Sequence, residues 1–276
     1  MPPDESLVAF FLMNSNSSPK HSARGVLWTL VVAAAWLLGA CASRSPETSD
    51  ATSSGWARTN NLGSSAQRVD GASWQHLKLP GKQLNQYTPV HHEGRNALYV
   101  ESQSSVSIIR HPLKVLPSEL GLLAFSWKVP RLIPGADMTD RDLDDSPVRI
   151  VLAFDGDRSK LSGRNQMMSE LARALTGEEM PYATLMYVWA NDAPVGTVIV
   201  NPRTDRIRKL VVESGTRGLN VWRDHERDLR ADFEKAFGEP PGTLRGIGLM
   251  TDTDNTRSSA TAWYGPLRMV GATAAK

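Results

Sequence analysis

Gly248-Leu249-Met250-Thr251-Asp252-Thr253-Asp254-Asn255-Thr256 is the stretch from which the fold is read. An apolar strand runs straight into two carboxylates, an amide and three hydroxyls. Thr261-Ala262-Trp263-Tyr264-Gly265-Pro266-Leu267 then reads as the next strand, so the polar stretch is expected to be a loop between adjacent strands. A solvated hairpin tip needs only a Gly or an Asn. The surplus of oxygen ligands marks this loop as a candidate site.

Outward from it, the recurrent unit is a short strand followed by a turn. Ala97 to Glu101 and Ser105 to Ile109 read as a hairpin. Leu122 to Val129, Val148 to Phe154 and Leu185 to Trp189 have the composition of core strands. Thr197 to Val200 and Ile207 to Glu213 form a pair around Asn201-Pro202-Arg203-Thr204-Asp205. Gly246 to Met250 and Ala262 to Val270 complete an all-β pattern, expected as an antiparallel β-sandwich. Alternation places Leu123, Phe125, Trp127, Ile150, Leu152, Phe154, Met186, Val188, Ile247 and Leu249 in its core.

Two inserted helices interrupt the strands. Asn165 to Leu175 carries Met167, Met168, Leu171, Ala172 and Leu175 at helical spacing, with Gly177 as its stop. Asp228 to Phe237 has Leu229, Phe233, Ala236 and Phe237 on one face, with Gly238 beyond it. Helices that do not alternate with every strand argue against a parallel α/β sheet.

The 276 residues carry a net charge of +2 and no long basic run, so no nucleic-acid partner is expected. One Cys excludes a disulfide framework and a Cys-rich zinc site. The six His show no metal spacing: His91-His92 are adjacent, and His76, His111 and His225 are scattered. No phosphate loop, dinucleotide fingerprint or nucleophile elbow is present.

The N-terminus gives an address. Lys20 and Arg24 precede an apolar run from Gly25 to Ala42, the order of a secretory signal. Leu38-Gly39-Ala40-Cys41 resembles the lipobox of bacterial lipoproteins, which implies cleavage before Cys41 and a lipid anchor on it. An uncleaved membrane anchor is the alternative. Residues 1–12 look dispensable, with Met13 an alternative start. Ala42, where some bacteria place an inner-membrane retention Asp, implies the outer membrane, facing the periplasm. The expected organisation is a signal peptide over 1–40, a lipidated Cys and flexible tether over 41–70, and one sandwich domain over 71–271.

Several phrases in order resemble a bacterial family, the domain-of-unknown-function family 3047. They are Phe125-Ser126-Trp127-Lys128-Val129, Asp144-Asp145 with Arg149 to Phe154, and Tyr187-Val188-Trp189-Ala190. Trp222-Arg223 with Arg227-Asp228, Asp232 and Phe237-Gly238 follow, then Thr251 to Thr256 and Trp263-Tyr264-Gly265. That family is similar in general look to carbohydrate-binding, galactose-binding-like jelly rolls, which implies such a fold here. It implies no activity.

Asp137, Asp140, Asp142, Asp144 and Asp145 crowd one loop, with Arg131, Arg141 and Arg149 around them. Such a run repels itself unless screened. Calcium is the one ion it would suit, but the EF-hand pattern fails: counted from Asp140, Asp145 falls where Gly is needed and Val151 where Glu is needed. Any calcium site must be assembled from separate loops, and the simpler reading is a solvated loop with local ion pairs. No other cofactor is expected. Arg149 on a core strand requires a carboxylate partner. If its strand and the one ending at Asp252 are antiparallel neighbours, the two acidic tips meet. The candidate shared network is therefore Asp144, Asp145, Arg149, Asp252, Asp254 and Asn255, either as an Arg-bridged clasp or as a ligand or cation site. Trp222 and Trp263 flank the polar loops and are the candidate aromatic platform for a sugar; Trp127 and Trp189 read as core. Three functions follow: a non-catalytic module binding a glycan or other envelope component, a carboxylate-based glycoside hydrolase or lyase pairing Asp145 with Asp252 or Glu226, and a purely structural lipoprotein.

Overall fold

The computed structural model describes residues 54–62, 74–176 and 178–270. The signal and lipobox, including Leu38, Gly39, Ala40 and Cys41, lie outside the described residues, as does Gly177.

The chain forms a mostly β sandwich of two sheets. The strands are β1 (Gln75–Lys78), β2 (Gln86–His92), β3 (Arg95–Gln103), β4 (Val106–Val115), β5 (Leu122–Lys128), β6 (Ser146–Phe154) and β7 (Ala183–Ala190). They continue with β8 (Val198–Val200), β9 (Ile207–Ser214), β10 (Arg223–Asp228), β11 (Leu244–Asp252), β12 (Ser259–Tyr264) and β13 (Arg268–Val270). The helices are α1 (Gly55–Thr59), α2 (Gly163–Thr176) and α3 (Leu229–Phe237). One sheet runs β1-β4-β11-β6-β7-β9-β8; the other runs β10-β5-β12-β3-β2, with β13 also paired to β5.

The two sheets face each other across one apolar core. Leu123, Phe125 and Trp127 of β5 meet Ile150, Leu152 and Phe154 of β6 and Ile247 and Leu249 of β11 there. Met186 and Val188 do not join that core. They lie with Val151, Met250, Ile108 and Ala172 of α2 in a second cluster on the opposite face of the seven-stranded sheet. Successive residues of a strand point to opposite faces, so Leu185 and Tyr187 point inward and Met186 and Val188 outward. This second layer explains why β6 and β7 are buried at every position.

Three expectations need correction. The hairpin over Ala97 to Ile109 is a crossover, because β3 and β4 belong to different sheets. The loop after Asp252 is another, carrying the chain from β11 to β12. The reason is burial. β4 and β11 carry apolar residues on both faces, whereas β12 alternates buried and wetter positions and needs one open face. The two crossovers lie side by side at one end of the sandwich: Ser104 N–H donates to Ser258 O at 2.8 Å and Thr253 N–H to Ser105 O at 3.1 Å. The sandwich is also not antiparallel throughout, since β7 and β9 are parallel. The chain passes to the sheet edge as β8 and turns back as β9 between β8 and β7.

α3 closes one edge between the sheets, with Leu229, Phe233 and Ala236 in the main core. Asp228 caps it by accepting from the Arg230 and Ala231 N–H groups, and Gly238 ends it at φ 70°, where a side chain would be strained. Part of the stretch read as tether is docked. Trp56 of α1 is 1% exposed, its indole N–H donates to Gly265 O at 3.2 Å, and Asn61 bonds the backbone on both sides of β13's first residue.

Candidate functional site

The charged network is built on the outward face of the seven-stranded sheet, under the loop that joins β5 to β6. β6 and β11 are antiparallel neighbours, with Asp252 opposite Ser146 and Met250 opposite Arg149. Arg149 therefore lies deeper than either acidic tip and extends back along the sheet. One of its terminal nitrogens donates to Asp144 O at 2.7 Å and to Asp144 Oδ1 at 3.1 Å, and lies 3.2 Å from Asp252 Oδ2. Against the pull of burial, Asp144, Asp252 and Asp145 keep its guanidinium charged.

Asp144 has two further partners. Lys209 of β9, wholly buried, donates to its Oδ2 at 2.5 Å and to Met138 O at 3.0 Å. Burial pulls the Lys209 ammonium down to about 8, against the attraction of Asp144. Asn201 donates to the same oxygen at 3.3 Å. Asp145 instead pins the crossover loop, accepting from Asn255 N at 3.2 Å, Thr256 N at 2.8 Å and Thr256 Oγ1 at 2.6 Å. Asn255 returns a bond from Nδ2 to Arg141 O at 3.0 Å.

Asp252 and Asp254 behave as a pair. Burial lifts the Asp252 carboxyl well above the ordinary range despite Arg149. Asp254 is pushed up by its own burial, but the hydrogen bond from Asp252 and its contact with Lys82 hold it low. The two carboxyls are thus driven apart in acidity, Asp252 the weaker acid and Asp254 the stronger. One oxygen each of Asp145, Asp252 and Asp254 lie within 4.8 Å of one another, the geometry of a cation site. Lys82 and Arg149 already supply positive charge there. The space left beside the network is about 50 Å³. That admits water but no sugar ring.

The remaining acids of the run are local. Asp137 accepts from Thr139 N and Oγ1 at 2.9 and 2.7 Å, Asp140 accepts from Asp142 N at 2.8 Å, and Asp142 lies 3.6 Å from Arg141. Glu226 is not brought to Asp145 or Asp252. It lies on β10, in the other sheet.

A larger concavity, of about 460 Å³, lies on the outer face of the six-stranded sheet. Ala124 and Ser126 of β5 form its floor, because alternate β5 residues are committed to the core. β10 supplies one wall. Its register sets Asp224 opposite Ser126 and Glu226 opposite Ala124, so both carboxylates share the outer face. Arg268 of β13 stands opposite Ala124 on the other side, with Pro266 and Thr59 beside it. Arg95 closes one end with a two-bond fork to Asp224, at 2.5 and 3.0 Å. That fork holds the Asp224 carboxyl below its ordinary range. Gly265 has no room for a Cβ, which would meet Ser126 Oγ at 2.0 Å.

The Arg95 end of the groove leads to the two candidate platform residues. The Arg95 guanidinium lies 5.0 Å from the Trp222 ring centre. The Trp263 ring is stacked on His92 at 4.5 Å and tilted against Tyr99 at 5.0 Å, with the Lys128 ammonium 5.6 Å away. One face of Trp263 is thus already taken by His92, so it is no bare platform. Sequence reading missed Lys82, Asn201, Lys209, Arg95 and Asp224. Among them only Lys209 carries a local signal, a lysine between apolar residues of a strand.

A family profile described as Protein of unknown function (DUF3047) matches residues 72–268. None of the curated proteins matches the chain. Among solved structures, the xyloglucanase domain of NopAA, a type three effector from Sinorhizobium fredii in complex with cellobiose, is 12% identical with a TM-score of 0.38; the match covers 74% of this chain and 95% of that one. The glycoside hydrolase domain of Endo-D from Streptococcus pneumoniae R6 is 10% identical with a TM-score of 0.27, over 70% of this chain and 21% of that one.

Proposed function

Since the chain belongs to that family, whose description names no activity, we propose its function from the groove: a non-catalytic carbohydrate-binding module of a lipid-anchored envelope protein. The observation that carries this is the groove over Ala124 and Ser126. Its volume of about 460 Å³ falls in the range of small-molecule sites, roughly 300–1,000 Å³. Carboxylates and guanidinium forks converge on it, and these groups match paired sugar hydroxyls. Trp222 extends it with an aromatic edge. A glycan array with the purified protein tests the reading. Binding to a defined set of glycans is expected, weakened at least tenfold by Asp224→Ala or Glu226→Ala, a loss of about 1.4 kcal/mol. Retention of no glycan, or variants that bind like wild type, would sink it.

Asp224 and Glu226 also favour a second reading. They stand two positions apart on one strand face along the groove, and a pair of carboxylates flanking the scissile bond is what glycoside hydrolysis uses. Release of reducing sugar by the wild type, abolished in Glu226→Gln, would establish that reading in place of simple binding.

The address rests on Leu38-Gly39-Ala40-Cys41 at the end of its apolar run. Cys41→Ser is expected to leave the protein unprocessed or to release it from the membrane fraction. Cleavage and membrane retention like wild type would remove the lipoprotein reading, and sucrose-gradient separation decides between inner and outer membrane.

A further inference from the structure

A second concavity, of about 390 Å³, lies at the crossover end and shares no lining residue with the groove. Gln103 and Ser104 from the first crossover and Arg257, Ser258 and Ser259 from the second line it. Arg131, with Leu132 and Pro134, lines it from the loop after β5. Both arginines are exposed, and among the described residues neither makes a hydrogen bond or an ion pair.

Several other arginines of the chain are paired. Arg95, Arg141, Arg223 and Arg227 each have a carboxylate partner. The acids at the second crossover are committed elsewhere: Asp145 to its backbone, Asp252 to Arg149 and Asp254 to Lys82. Among the described residues no carboxylate lines the cleft. Both guanidiniums are always charged, and the cleft they line brings no opposite charge to them. The rim that presents Arg257 is fixed by backbone: Ser104 N–H donates to Ser258 O at 2.8 Å, and Ser258 N–H to Thr253 O at 3.1 Å.

We infer that this cleft is an oxyanion-binding site, taking the phosphate, sulfate or carboxylate group of a ligand larger than a bare ion. The planar guanidinium forks would hold two oxygens each. The hydroxyls of Ser104, Ser258 and Ser259 and the Gln103 amide supply further donors. The volume leaves room for the body of the ligand beside its anionic group.

Isothermal titration of the full chain at low ionic strength tests this, since exposed charges are screened within about 10 Å in ordinary salt. The probes are inorganic phosphate, sulfate and acetate, and vesicles containing phosphatidylglycerol, which separate a free oxyanion from a lipid headgroup. Saturable binding of at least one probe is expected. Arg131→Ala/Arg257→Ala should weaken it about tenfold or more, and Arg257→Lys, which keeps the charge and loses the fork, should weaken it less. Arg141→Ala, at an arginine that already has a partner, is the control for bulk charge and should bind like wild type. Absence of saturable binding by any probe, equal binding by the double variant, or equal loss in Arg141→Ala overturns the inference. None of these outcomes bears on the glycan groove.

Discussion

Arg149 stands between Asp144 and Asp252 and is 2% exposed, so its charge cannot be left to water. Removing one member of a buried ion pair leaves the other uncompensated, which costs about 3–5 kcal/mol. Arg149→Met is therefore expected to lower unfolding stability by about 3 kcal/mol, read as a lower urea midpoint at an unchanged slope. Asp144 would keep Lys209 and Asn201, so a loss at the lower end of that range is the natural outcome. Arg149→Met/Asp252→Leu should recover part of it. A double variant less stable than the single one would mean that Asp252 has another role in the folded state.

At the scale of elements, β10 departs furthest from a strand's usual composition. Its sequence, Arg-Asp-His-Glu-Arg-Asp, has no apolar residue. Its outer face carries Asp224 and Glu226, and its inner face Arg223, His225 and Arg227. Arg223 pairs with Glu213, and Arg227 with Asp232 of α3. His225 lies between Phe125 and Trp127, at ring distances of 5.1 and 5.2 Å. Burial, then the neighbouring Arg223 and Arg227, hold its imidazole down to about 4. A depressed value means that the folded state favours neutral His. Its contribution is present above the unfolded value of about 6.5 and is lost as pH falls toward 4. Stability should therefore drop by roughly 2 kcal/mol between pH 6.5 and 4 through this residue. Thermal melts across that window should show a shallower decline in His225→Phe. An unchanged slope would place the acid sensitivity elsewhere, with His76, also lowered by burial, the next group to replace.

For the whole molecule, the docked N-terminal segment fixes where the sandwich hangs from any anchor. Trp56 packs against Trp74 at 4.9 Å and belongs to the main core, and Asn61 joins β13. Trp56→Ala is expected to cost about 3 kcal/mol, as for other large aromatic truncations. A chain beginning at residue 63 should lose at least as much as Trp56→Ala, measured by the same denaturant titration. If that truncation were as stable as the longer chain, α1 would be an ornament of the domain and not part of it. If Cys41 carries the lipid anchor proposed above, the thirteen steps to Ser54 can span at most about 45 Å. The groove, of which Thr59 forms part of one wall, would then stay that near the membrane.

Local patterns in the chain are enough for the mostly β class, the positions of the apolar strands and both longer helices. Burial periodicity and helix stops are local, so they are written in neighbouring residues. The meeting of Asp144, Asp145 and Arg149 with Asp252, Asp254 and Asn255 followed from one antiparallel pairing that apolar composition made readable. The tertiary structure alone decided the rest. It assigned β3 and β4, and β11 and β12, to opposite sheets, because pairing depends on which faces distant strands can cover. It brought Lys209 to Asp144 across 65 residues and Lys82 to Asp254 across 172, separations at which no spacing rule operates. It also made a strand of β10, whose charges are stabilised by partners on β3, β9 and α3 and not by burial of its own side chains. The groove follows from that strand, so it was invisible until the sheets were assembled.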